Sequence, residues 1–197
     1  MATCLRYPGK VVIVTGGTKG IGLAIVREFV HQGANVVFCS RATGAEKGQE
    51  VQRELQGSGC PGDAFYQVCD VRNESDIKRL IRVTVERYGC LDCLVNNAGT
   101  GYTEQIDDVS AQDFLNLIKT NTVSGLLASK YALPYLWETK GNIITIGNIV
   151  GVLGKENGNT VENSRRGSSV LSPPQGKGSA SSPLFSKKSN PPSFDGP

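Results

Sequence analysis

Residues 11–22, reading Val-Val-Ile-Val-Thr-Gly-Gly-Thr-Lys-Gly-Ile-Gly, constrain the fold more than any other stretch. The β-branched run at 11–14 has the character of a strand buried on both faces, as in a parallel sheet. Glycines interrupt it, and from Ile21 apolar residues recur at helical spacing through Ala24, Ile25 and Phe29. A strand, a glycine turn and a helix start make an anion site. Backbone can approach a pyrophosphate closely there, and the helix's unpaired N–H groups and dipole stabilise its charge. A glycine pattern alone is weak, and a tight structural turn would also produce it. The strand before and the helix after favour dinucleotide binding, with Gly16, Thr18, Lys19, Gly20, Ile21 and Gly22 as candidate contacts.

The same alternation continues down the chain. A first helix is expected over 20–31, stopped by Gly33, followed by a second strand at 36–39 and a polar helix over 44–55. Residues 57–62, with Pro61, form a loop, and a third strand at 65–69 ends at Asp70. Asn73 is placed to cap the next helix, whose Ile77, Leu80, Ile81 and Val85 would face the sheet and which Gly89 would end. A fourth strand at 91–95, a helical region over 110–136 with Pro134 near its end, and a fifth strand at 143–146 complete the pattern. Strands alternating with helices demand parallel pairing with right-handed crossovers, hence a doubly wound, Rossmann-like α/β sheet.

From Lys155 the character changes. Ser, Pro, Gly and Asn make up 25 of the last 43 residues, without helical or strand periodicity. Such a segment buries too little apolar surface to offset its ordering entropy, so 155–197 reads as a disordered tail behind one domain over 5–154. Charge divides the same way. Residues 1–154 balance fifteen basic against fifteen acidic side chains, and the tail supplies the net +3. That is too slight and scattered for a nucleic-acid interface. No run approaches a membrane span, and residues 1–10 lack a secretion signal. Six cysteines fit a reduced, cytosolic chain. Cys90 and Cys93 form a C-x-x-C, but Leu91 and Asp92 between them open a strand. The pair reads as incidental before it reads as redox-active or half a zinc site, and no metal is expected.

Cofactor type turns on the end of the second strand. A carboxylate there would accept from a ribose 2′-hydroxyl and repel a 2′-phosphate. Ser40 and Arg41 stand there instead, with Lys19 projecting from the glycine turn. Two cations and no carboxylate favour NADP over NAD, unless both are simply solvated surface charges. Asp70 and the Val71 backbone are placed to meet the adenine ring. Asn96, Asn97, Ala98 and Gly99 follow the fourth strand at the carboxyl edge, where open α/β sheets bind ligands. Asn97, Ala98 and Gly99 read as a cofactor wall, though a structural turn would also carry them.

Thr15-Gly-Gly-Thr-Lys-Gly-Ile-Gly22, Cys69-Asp70-Val71 and Asn96-Asn-Ala-Gly99 together resemble the short-chain dehydrogenase/reductase family over residues 5–154. The resemblance implies a cytosolic NAD(P)-dependent alcohol or steroid dehydrogenase acting on hydroxyl or keto groups, usually a dimer or tetramer. Within the family, 6–10 and 132–136 are most similar to 17-beta-hydroxysteroid dehydrogenases, which implies a steroid such as estradiol and NAD. Ser40 departs from the acidic residue of that branch.

The family also implies an Asn, a Ser, a Tyr and a Lys at the reacting centre. The Tyr hydroxyl, its pKa lowered by the Lys and the cofactor, trades a proton with the substrate oxygen. Asn121 matches the first, and Asn148 stands at the Ser position, where it can still donate a hydrogen bond. Tyr and Lys fall at Val161 and Arg165, and no tyrosine follows Tyr135. Family-like sequence stops near 154–157, so two further strands, the Tyr/Lys helix and the substrate loop are expected to be missing, as in a spliced or frameshifted product. Strand 143–146 would then show an unpaired apolar edge, and helix 110–136 would lose cover. Each large side chain left exposed forfeits roughly 1.5–3 kcal/mol. Three readings follow: a working oxidoreductase; a silent nucleotide-binding fragment that forms a homo-oligomer or pairs with a full-length form; and an unstable product.

Overall fold

The computed structural model describes residues 4–101 and 109–147. Val161, Arg165, Asn148 and the tail from 155 lie outside them. Five strands, β1 (Val11–Thr15), β2 (Asn35–Ser40), β3 (Asp63–Val68), β4 (Cys93–Asn96) and β5 (Asn142–Thr145), form one sheet in the order β3-β2-β1-β4-β5. Every pairing is parallel. The doubly wound architecture expected from the sequence is the one observed.

β1 sits at the centre because each of its residues is buried. Its side chains alternate between two cores. Val11 and Ile13, with Val37 and Leu94, meet α3 (Glu74–Tyr88) and α5 (Ser124–Thr139) through Ile77, Leu80, Ile81, Ala128, Ala132 and Leu136. Val12 and Val14, with Val36, Phe38 and Val95, meet α1 (Gly20–His31) and α2 (Ala45–Gly57) through Val26, Val30, Val51 and Leu55. The result is three layers, with helices on both faces as parallel strands require.

Several expected boundaries shift. β3 begins at Asp63, two residues early, because Asp63 and Ala64 pair with Asn35 and Val36. β4 begins at Cys93 and β5 at Asn142, since Asp92 and Gly141 hold the strand starts as loops; the Asp92 carbonyl accepts from Asn142 N at 2.9 Å. A Cβ on Gly141 would stand 2.3 Å from that carbonyl. Asn73 occupies the N-cap position of α3, yet its side chain makes no capping bond. On α3, Thr84 completes the buried row in place of Val85 and donates to the Leu80 carbonyl at 2.8 Å.

The helical region expected over 110–136 divides. α4 (Ala111–Ile118) is capped by Ser110, whose Oγ accepts from Asp113 N at 3.1 Å. A π turn (Lys119–Val123) then leads into α5, which runs on to Thr139 through Pro134. Such turns insert one residue into a helix and rotate what it presents. Among the described residues β5 pairs with β4 alone, and Ile144 is 42% exposed. Leu115 on α4 and Leu126 and Trp137 on α5 are also exposed. No described helix is long and apolar enough to cross a membrane.

Candidate functional site

Strand order reverses between β1 and β4, and the crevice of such a sheet opens at the carboxyl ends of those two strands. Thr15 closes β1 there. Its buried Oγ1 accepts from Asn97 N and Ala98 N, both at 3.0 Å, and donates to the Val95 carbonyl at 3.3 Å. One hydroxyl thus fastens the start of the β4 loop to the end of β1.

Asn97 returns the link. Its Nδ2 donates to the Thr15 carbonyl at 2.8 Å and the Gly16 carbonyl at 3.1 Å. Gly16 has φ +68°, a left-handed backbone that suits glycine. Gly22, in the first turn of α1, lies so close that a Cβ would stand 2.2 Å from the Gly16 carbonyl and 2.4 Å from Asn97 Nδ2. Here the glycines leave room for backbone. Lys19 at the N-cap gives α1 no side-chain cap, and its first turn carries no acidic residue. The N–H groups of that turn therefore face the crevice without a side-chain partner or a repelling charge. Gly20 and Lys19 are exposed beside them, Thr18 is buried, and Ile21 is 65% exposed at the rim.

Ser40 ends β2 on the same face as Phe38. A Cβ built on Gly44 would meet Ser40 Oγ at 2.7 Å and Thr18 Oγ1 at 3.7 Å, so the glycine turn and the end of β2 converge. Ser40 Oγ lies 2.8 Å from the Tyr66 hydroxyl and donates to the Arg41 carbonyl at 3.1 Å. The Arg41 side chain is exposed, and its charge helps lower the Asp70 pKa. The larger cause is Arg72, whose guanidinium holds both carboxylate oxygens of Asp70, at 3.0, 3.1 and 2.6 Å. The Asp70 carboxylate is thus engaged by Arg72, and beside it the Val71 side chain packs into the core.

Asn121 lies on the π turn and is buried. Its Oδ1 accepts from Thr100 N and its Nδ2 donates to the Thr100 carbonyl, both at 2.9 Å. The side chain thereby clamps the chain just after Gly99, which is exposed. The structure brings Gly16, Gly22, Asn97 and Ala98 together, and Thr18 with Ser40. Cys90 and Cys93 part: Cys93 is buried and its thiol pushed up to about 11, chiefly by burial, while Cys90 lies by the Asp92 carboxylate. Sequence reasoning missed Thr15, Tyr66 and the π turn. Only Thr15 carries a signal, its place directly after the β-branched run at 11–14.

Residues 10–162 match the model of the short chain dehydrogenase family. L-fucose dehydrogenase from Bos taurus is 45% identical over 156 residues, which cover 79% of this chain and 55% of that one. Among solved structures, a dehydrogenase/reductase from Sinorhizobium meliloti superposes with a TM-score of 0.80 at 32% identity, covering 85% of this chain and 66% of that one. A metagenomic short-chain oxidoreductase in complex with NADP does so with a TM-score of 0.76 at 30% identity, covering 84% and 74%. The chain spans about half the length of the curated relatives it matches. Where a 17-beta-hydroxysteroid dehydrogenase, of type 14, was the expected likeness, these curated relatives are named for L-fucose.

Proposed function

The chain belongs to the short chain dehydrogenase family, and from that premise we propose that its crevice binds a nicotinamide dinucleotide, NADP before NAD, without completing the proton transfer. The approach of Gly22 to the Gly16 carbonyl and Asn97 Nδ2 carries this reading. It leaves a cradle of backbone, with uncapped helix N–H groups behind it, that fits a pyrophosphate. Ile21 at the rim would gain apolar cover from a bound molecule. Lys19 and Arg41 would supply positive charge, and Ser40 a donor, for a 2′-phosphate.

A bound nicotinamide supplies the hydride acceptor or donor for a hydroxyl or keto group. This chain's own part is to orient it. Thr15, Asn97 and Asn121 fix the β4 loop that forms one wall. The proton is another matter. The family implies a Tyr and a Lys where this sequence has Val161 and Arg165, and valine has no proton to exchange. Asn148, at the Ser position, has a donor to orient a carbonyl but supplies no acid.

The relatives' names favour a sugar hydroxyl such as that of L-fucose over a 17-beta-hydroxysteroid. A cytosolic setting suits the unpaired cysteines, and a second copy or a longer form of the chain is the partner the exposed apolar side chains of α4 and α5 would suit. Titration of the purified 1–197 chain with NADPH and NADH, read by cofactor fluorescence, tests binding. Saturable binding with NADPH tighter is expected. Incubation with NADP⁺ or NAD⁺ and L-fucose or estradiol should form no reduced cofactor. Absence of binding, or turnover like that of a complete dehydrogenase, would overturn the proposal.

A further inference from the structure

Ser40 stands where cofactor type is decided, and a residue outside the crevice governs its hydroxyl. A serine hydroxyl has one proton and two lone pairs. The Arg41 carbonyl, 3.1 Å from Ser40 Oγ, can only accept, so the Ser40 proton goes there. Tyr66 is 7% exposed, and among the described residues Ser40 Oγ is the hydrogen-bond partner of its hydroxyl, at 2.8 Å. The pair is part-buried, and with the Ser40 proton on the carbonyl the Tyr66 hydroxyl finds its acceptor in Ser40 Oγ, so Tyr66 donates and Ser40 accepts. Burial also raises the Tyr66 pKa, which keeps the donated proton on the phenol.

The order is thus Tyr66 to Ser40 to carbonyl, and the bond accepted from Tyr66 polarises the one proton that Ser40 donates. Two glycines hold the arrangement. A Cβ on Gly48 would lie 2.2 Å from the Tyr66 ring, and one on Gly44 2.7 Å from Ser40 Oγ. The Tyr66 ring also packs against Phe38, its own register partner on β2, centroids 5.5 Å apart. Packing alone therefore fixes the Tyr66 ring in place.

We infer that Tyr66 is a positioning residue for cofactor choice: its hydroxyl holds Ser40 as a hydrogen-bond donor for a 2′-phosphate. When the phosphate arrives, the Ser40 O–H turns from the Arg41 carbonyl to a phosphate oxygen and keeps the Tyr66 proton at Oγ. The bond becomes charge-assisted, roughly doubling its strength. A ribose 2′-hydroxyl carries no charge and gains little from the same polarisation. The inference rests on the dinucleotide reading of the crevice.

Tyr66→Phe keeps the ring and removes the proton. In the full chain it should raise the NADPH Kd about three- to tenfold while NADH stays within about twofold. In a Ser40→Ala background the same substitution should change neither, since the hydroxyl through which it acts is gone. Gly44→Ala, which crowds Ser40 Oγ, should reproduce the selective loss. Equal weakening of both dinucleotides by Tyr66→Phe, no change in either, or a selective loss that persists without Ser40, would overturn the inference and leave dinucleotide binding intact. If the wild-type chain binds neither dinucleotide, the reading of the crevice falls, and this inference falls with it.

Discussion

Asp63 and Tyr88 share a hydrogen bond of 2.7 Å, and the two groups titrate in opposite directions. Burial raises the Asp63 pKa, but hydrogen bonds from Tyr88, Gln56, Arg87 and Ala64 N outweigh it and hold the carboxyl below its usual 3.8. Its contribution is complete above the unfolded pKa and is lost as pH falls through the folded one. Burial, with Asp63 beside it, pushes Tyr88 from 10.0 up to about 12. Its contribution is complete below pH 10 and is lost as pH rises toward about 12. Tyr88→Phe should therefore flatten the alkaline limb of a stability–pH profile by about 1 kcal/mol, allowing for solvent screening of a half-buried pair. It should also lessen the acid-side loss, as urea unfolding at stepped pH would show. Thr15→Val is a sharper change. It leaves Asn97 N and Ala98 N without their acceptor and should lower unfolding free energy by roughly 2–4 kcal/mol in the same assay. Thr15 belongs to the stretch that most constrains the fold, directly after the run at 11–14 that reads as a strand. Its partners lie 82 and 83 positions away, and no local pattern reports them. Tyr66 was hidden for a related reason: it meets Ser40 only through the register of β2 on β3.

Among the elements, β1, α1 and α3 were legible because apolar periodicity and terminal glycines mark them within a few residues. Gly33 and Gly89 have the positive φ expected just past a helix end. The π turn was not legible. Lys119–Val123 holds two threonines, an asparagine and a valine, weak helix formers that do not by themselves mark a π turn, and the extra residue serves a contact between Asn121 and Thr100 that lies across the site. Among the described residues β5 pairs with β4 alone, in keeping with the edge position expected for it. Ile144, 42% exposed on that strand, is the side chain through which association is expected. Ile144→Lys should reduce self-association in sedimentation or light scattering while changing thermal stability little, because a charge on an edge blocks pairing. Unchanged association would place the contact elsewhere, on Leu115, Leu126 or Trp137.

Taken whole, the molecule joins a well-specified crevice to a sheet whose last described strand is an edge. A ligand that binds only the folded chain stabilises it by mass action. NADPH at one hundred times its Kd should therefore add about 2.7 kcal/mol to unfolding. A melting shift larger for NADPH than for NADH at equal concentration would report both binding and preference. The substrate stays illegible in sequence and fold alike, because contacts that choose a substrate are separate from those that hold the dinucleotide. The two ends of β1 have a further consequence. Asp92 accepts from Val11 N at 2.9 Å and from Lys10 Nζ at 2.8 Å at one end, as Thr15 holds Asn97 at the other. Both links span more than eighty residues. β2 can join β1 soon after it is made, whereas the other edge of β1 stays open until β4 has been translated. At about 5–20 residues per second that is a wait of roughly 4–16 s. For that interval one edge of Val11–Thr15 is expected to stay unpaired on the nascent chain, and crosslinking of a ribosome-associated chaperone to chains stalled before and after β4 would show it.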